Sequence, residues 1–266
     1  MRRFNLQKWI VGSIVTLASC QAMATTTVIT FDELTAGLVH GSVLNSQYAG
    51  VSISATNFDN GTDLAVIYNT DPNAGNGNGL SGNDYDPDLE GPSWSSSNLG
   101  TYGIDSSTYM SGNAVIVQEN STGCGDGVCN FPDDEGSRPA GEIVFDFDFT
   151  VSSLGFDLID FEDVETTGSS LKIYNEALEE FTYEFSTFVS SQSAEFGNNS
   201  INRILLSSLG IDNVNRAVFN FGGSGAVDTV SYRRTPTTGT QISEPSTFAL
   251  FGLALLGLAS SRRRQR

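Results

Sequence analysis

The stretch with the clearest binding chemistry is Asn83-Asp84-Tyr85-Asp86-Pro87-Asp88-Leu89-Glu90-Gly91, inside a long Asn-, Gly- and Pro-rich segment, Asp71 to Ser97. Acids alternate along it. Calcium takes about six to eight oxygens from carboxylates, carbonyls and water, and alternating carboxylates in an irregular loop can converge on one ion. The expected calcium ligands are therefore Asp71, Asp84, Asp86, Asp88 and Glu90. The pattern is not an EF-hand, because Pro87 interrupts it and no glycine sits at the central turn. A solvated acidic loop is the competing reading. A second acidic group, Asp126 with Asp133, Asp134 and Glu135, lies beside two cysteines and reads first as a solvated turn.

Catalytic chemistry has little to stand on. His40, in Val39-His40-Gly41, is the only histidine. A His-rich zinc site cannot be assembled, and a Ser-His-Asp triad has only this one base to draw on. No Gly-x-Ser-x-Gly elbow is present. His40 is expected to be a solvated loop residue. A glycosidase needs only two carboxylates, about 5–10 Å apart, but 31 acids single out no pair. The chain is expected not to be an enzyme. Tyr85, Trp94, Tyr102 and Tyr109 fall in long loops beside Asn, Ser and Asp. Exposed, these rings would stack on sugar faces; buried, they would cap a core.

Cys124 and Cys129 flank Gly125-Asp126-Gly127-Val128. In an oxidising compartment two such neighbours are expected to pair, and closing so short a loop adds modest stability. Charge narrows the partners further. Between Thr25 and Ile242 stand 30 acids against 6 bases. Such a surface repels phosphate backbones, which excludes nucleic acid as a partner, and it attracts divalent cations.

The elements that must position these groups are short strands. In Glu142 to Val151, Ile143, Phe145, Phe147, Phe149 and Val151 alternate with Asp146, Asp148 and Thr150, the period of a half-buried strand. Leu154, Phe156 and Leu158 repeat it. Further strands are expected at Val28 to Phe31, Tyr48 to Ala55, Leu64 to Tyr68, Ala114 to Gln118, Leu171 to Tyr174, Phe181 to Phe185, Ile201 to Leu206, Arg216 to Phe221 and Val227 to Tyr232. Asn175 to Glu180 fits either a helical turn or a hairpin loop. About ten short strands with no amphipathic helix predict an all-β fold, an antiparallel β-sandwich of jelly-roll type. It is expected over 25–234, followed by a Thr-rich linker, 235–242.

Both ends of the chain are addresses. Arg2, Arg3 and Lys8 precede an apolar run, Trp9 to Ala18, and a small-x-small site, Ala22-Met23-Ala24. That order predicts a signal peptide, 1–24. Leu17-Ala18-Ser19-Cys20 offers the alternative of lipidation at Cys20. At the other end, Ser243-Glu244-Pro245-Ser246 precedes an uncharged apolar run, Phe248 to Ala259, and Arg262, Arg263, Arg264 and Arg266. The run is short for a permanent anchor; it is expected to be a single short transmembrane helix that holds the chain in the membrane before processing, and its basic end marks the cytoplasmic side. Residues 243–266 resemble the PEP-CTERM sorting signal of Gram-negative bacteria, with Glu244 and Pro245 at the family's central Glu and second Pro and Ser243 in place of its first Pro. The resemblance implies an inner-membrane-tethered precursor, recognition by an exosortase-type protease, release to the cell surface or beyond, and association with exopolysaccharide.

Ile29-Thr30-Phe31-Asp32 and Val227 to Tyr232 resemble in outline the ends of bacterial extracellular β-sandwich modules, carbohydrate-binding ones included. That resemblance implies Asp32 and Asp228 as calcium ligands or loop pins. The expected function is an exported, exopolysaccharide-associated binding or structural module. The alternatives are an extracellular polysaccharide hydrolase using a carboxylate pair, and a purely structural matrix protein.

Overall fold

A computed structural model describes residues 25–33, 36–59, 62–72, 86–134, 138–162, 168–211 and 213–235. The expected leader 1–24, the sorting segment 243–266, nearly all of the linker, and Asp84, Tyr85 and Glu135 lie outside the described residues. The strands are β1 (Thr26–Ile29), β2 (Val51–Asn57), β3 (Ala65–Asn69), β4 (Ser96–Ser97), β5 (Asn113–Val117), β6 (Cys124–Gly125) and β7 (Val128–Cys129). They continue with β8 (Gly141–Ile159), β9 (Ser170–Asn175), β10 (Glu180–Glu184), β11 (Ser200–Leu205), β12 (Val214–Phe221) and β13 (Ala226–Arg234). One helix, α1 (Ser186–Gln192), separates β10 from β11.

β8 organises the molecule. The two strands expected at Glu142 to Val151 and Leu154 to Leu158 are one continuous strand of 19 residues. Its first half pairs antiparallel with β12 and β2, Phe145 lying opposite Ala217 and Ile53. Its second half pairs antiparallel with β13 and β11, Asp157 lying opposite Asp228 and Arg203. The sheet runs β10-β9-β12-β8-β13-β5-β3, with β1 beside β13. One strand therefore serves both layers of the sandwich.

Burial follows the pairing. In the first half of β8, Ile143, Phe145 and Phe147 are buried and alternate with the less buried Glu142, Val144, Asp146 and Asp148, as one wet face requires. From Leu154 to Ile159 every residue is buried. This half has apolar groups on both faces. Leu154, Phe156 and Leu158 enter the main core with Val115, Val227 and Phe219. On the other face, Ile159 joins a second core with Val66, Ile116, Leu89, Trp94 and Leu99. The same two-sided cover explains why β5 is buried throughout.

The second core corrects an expectation. Residues 86–97, the described end of the segment read as an irregular loop, lie against the sheet through Leu89 and Trp94, joined there by Leu99. Helix α1 was absent from the sequence reading. Its seven residues carry no apolar stripe, and so short a helix depends on tertiary packing: Phe188 is buried beside Phe185, which stacks near Phe161. Asn175 to Glu179 forms the hairpin loop, where Asn175 Oδ1 accepts from the amides of Ala177 and Glu179. Cys124 and Cys129 form a disulfide, with an S–S distance of 2.01 Å.

Candidate metal centre

Three carboxylates meet where β3, β8, β11 and β13 present their ends. Asp86 opens the 3₁₀ turn Pro87–Leu89 and accepts the Asp88 amide at 2.9 Å. Asp134 lies within the segment between β7 and β8, and its Oδ2 accepts the Gly225 amide at 2.6 Å. Asp160 follows the last residue of β8 with a left-handed φ of 49°. Its Oδ1 accepts the Asn199 amide at 2.7 Å and its Oδ2 accepts Ser224 Oγ at 3.1 Å. One ligand atom from each acid lies within 4.8 Å of the others. Exposures are 9% for Asp86, 3% for Asp134 and 1% for Asp160.

Such an arrangement cannot hold three bare charges. At 4.8 Å and an effective dielectric near 20, each pair repels by roughly 3 kcal/mol. None of the ion pairs among the described residues reaches the three. Burial, followed by the charges of Asp86 and Glu162, pushes the Asp160 carboxyl up to about 8 against the donors Asn199 and Ser224. Burial, then Asp86 and Asp160, raises the Asp134 carboxyl well above the usual carboxylate range. Either protons or a cation must neutralise the group. All donors are oxygens, which suits calcium, magnesium or manganese rather than a soft metal.

Among the described residues, Asp86 alone of the expected calcium set enters this group. Asp88 Oδ2 instead accepts Asn198 Nδ2 at 2.9 Å, and the Asp71 amide donates to Asn69 Oδ1. Glu90 offers its carbonyl to Asn199 Nδ2, which also bonds the carbonyls of Pro87 and Asp88. Asp84 lies outside the described residues. Asp134 had been placed in a solvated turn; it is buried. Asp160 was missed. Its only sequence signal is an acidic run, Asp160, Glu162 and Asp163, straight after an apolar strand.

A second buried network lies nearby under the 99–112 segment. Arg203, Asp157 and Asp228 stand in one row across β11, β8 and β13. Arg203 Nε and Nη2 donate to Asp157 Oδ1 and Oδ2 at 2.7 and 2.6 Å, and Asp157 is fully buried. The Tyr109 hydroxyl donates to Asp157 Oδ2 at 3.1 Å. Asp228 bonds Ser111 Oγ and, at 3.0 Å, Thr229 Oγ1. Burial and then Asp157 push the Asp228 carboxyl well up. Asp32, at the surface, accepts the Asn113 amide at 2.9 Å. Asp32 and Asp228 thus both fasten the segment Ser111 to Asn113.

The loop aromatics divide. The Trp94 ring is 8% exposed, packs in the second core and donates Nε1 to the Tyr109 carbonyl. It has no open face for a sugar. Tyr102 donates to Gln192 Oε1 at 3.2 Å and Tyr109 to Asp157, both half-buried. Tyr85 lies outside the described residues. His40 is also less exposed than expected. Its Nδ1 accepts the Asn69 amide at 3.0 Å, its ring meets Tyr68 edge-on at 5.1 Å, and burial pushes its pKa down to about 4.

An open depression of about 430 Å³ lies beside the first half of β8 and the start of β2, lined by Tyr48, Val51, Ser52, Asp146, Phe147 and Asp148. Arg216 Nη2 donates to Asp146 Oδ2 at 2.9 Å on the neighbouring strand.

No curated protein matches the chain. Residues 241–264 match the family model of the PEP-CTERM protein-sorting motif, which implies an exported protein sorted to the cell surface and processed by an exosortase.

Proposed function

We propose that this chain is a non-enzymatic β-sandwich of jelly-roll type, shown at the surface of a Gram-negative cell or shed into its matrix, where it associates with exopolysaccharide and uses calcium for stability. The sorting motif at residues 241–264 carries the reading. Its position after the folded body fits a membrane-tethered precursor released by the sorting protease. The acidic body fits a soluble extracellular life. The open depression beside Tyr48 and Asp148 is of the size that holds one or two sugar units, and sets Ser46, Ser52, Asp146 and Asp148 beside Val51 and Phe147. The buried carboxylates Asp157 and Asp228 are sealed by Tyr109, Ser111 and Thr229 and offer no approach to a glycosidic bond.

The test is co-sedimentation of the purified chain with the host's own exopolysaccharide. Retention, reduced at least tenfold by Ser52→Trp, which fills the depression, supports the reading. Absence of retention alongside an unrelated glycan-binding control removes it. Release of reducing ends, abolished by Asp148→Asn, would establish the hydrolase instead.

A further inference from the structure

We propose that Asp86, Asp134 and Asp160 together bind one divalent cation of the calcium class, clamping three segments distant in sequence at one end of the sandwich. The site gives the calcium of the proposed function its residues. It is independent of the polysaccharide part, so loss of glycan binding leaves it standing and the reverse holds equally.

Reach comes first. Two oxygens on one calcium, each at about 2.3–2.6 Å, lie no more than about 5 Å apart, and the three acids meet that limit at 4.8 Å. An orphaned oxygen comes second. Asp134 Oδ1 is buried and accepts no hydrogen bond, while Gly225 fixes the same carboxylate through Oδ2. A buried acceptor left unmade costs the full desolvation of the group, and an ion is the partner that removes the cost. Ser200 Oγ, in the residue whose carbonyl accepts the Asp160 amide, is a second buried oxygen without a partner. Support for the ligands comes third. Gly225, Asn199, Ser224 and Asp88 each donate to one of the three carboxylates, which is how outer contacts orient metal ligands.

Chemistry then selects the ion. The donors are carboxylate oxygens, the lone histidine bonds Asn69 elsewhere, and Cys124 and Cys129 are spent in a disulfide. Zinc and copper have nothing to prefer here. Calcium tolerates an irregular set of three acids completed by water and carbonyls, whereas magnesium demands a strict octahedron.

The exported chain, purified from its host and stripped with chelator, is titrated by calorimetry with calcium, magnesium and manganese in turn, and melted with each. We expect one calcium per chain, and a melting temperature about 5–10 °C higher at roughly 100 times Kd. Asp134→Asn and Asp160→Asn should lose both the heat and the shift. Because an amide relieves the repulsion, both variants should melt in chelator no lower than the unaltered chain in chelator. Asp126→Asn, an exposed acid, should keep the full response. No heat and no shift with any cation overturns the site. So does an undiminished response in both ligand variants. Preference for magnesium or manganese overturns the ion assignment.

Discussion

Replacing Arg203 by Met should be among the most damaging single changes in the chain, and its cost should depend on pH in a definite way. Arg203 holds Asp157 through two bonds of 2.7 and 2.6 Å, and the Asp157 side chain is fully buried. Removing one partner of a buried pair leaves a charge without compensation and costs about 3–5 kcal/mol. Burial already pushes the Asp157 carboxyl up with Arg203 present, so without it the acid will take up a proton instead. Protonating a carboxyl of unfolded pKa near 3.9 at pH 7 costs about 4 kcal/mol, which caps the loss. A group whose folded pKa is raised contributes its stability at low pH and loses it as pH rises. The deficit should therefore shrink by about 1.4 kcal/mol for each pH unit below 7, to about 1.4 kcal/mol at pH 5, and be nearly gone at pH 4. Arg216→Met is the control. Arg216 and Asp146 make an equally two-pronged pair, but their side chains are 50% and 37% exposed, and exposed pairs are worth about 0–1 kcal/mol. Urea unfolding of both variants at pH 7 and pH 5, in saturating calcium, reads the difference. If Arg203→Met lies within about 1 kcal/mol of Arg216→Met at pH 7, the argument from burial fails.

Two further perturbations test the packing. His40 should titrate at about 4, below the ordinary imidazole value of 6.5, because it is buried; its pKa is lowered, so its stability is present above pH 6.5 and is lost as pH falls toward 4. As the lone histidine it gives one unambiguous ring signal in NMR, and a midpoint near 6.5 would contradict its burial against Tyr68. Gly41→Ala should cost about 2 kcal/mol or more, because its φ is +85° and an added Cβ would stand 2.0 Å from the Cys129 carbonyl oxygen. Gly127→Ala, with a similar φ of +82° and nothing within 4 Å, should cost only the conformational strain, about 1 kcal/mol; equal melting temperatures for the two would refute the clash.

What the sequence exposed and what it concealed follow from the range of the interactions. Strand β8 was legible because Ile143, Phe145 and Phe147 share one face while Asp146, Asp148 and Thr150 fall on the other. Its continuation as a single strand was not, because the alternation breaks at Ser152 and Ser153, where the strand passes from one layer to the other. The cysteine pair was legible from spacing alone. The second core was hidden, since Leu89, Trp94 and Leu99 are isolated among Gly, Asn and Ser and acquire meaning only against Val66 and Ile116. The acidic site was half legible. Asp86 and Asp134 each stood in an acidic cluster, but no local pattern links them with Asp160. The meeting is made by topology, with β11 and β13 flanking the end of β8 and bringing Asn199 and Gly225 to the carboxylates. Asp157 was similarly obscured, because a strand acid reads as outward-facing until a covering segment is known, whereas Asp228 stood out only through the resemblance of the chain ends.

The most direct test of export and sorting is the intact mass of the protein recovered from fractionated cells, with and without the sorting protease. The account predicts a surface or medium form lacking both the leader and the apolar, Arg-ended tail, with Cys124 and Cys129 oxidised, and a membrane-bound form retaining the tail when the protease is absent. A full-length chain in the cytosol with reduced cysteines, in both strains alike, would contradict it.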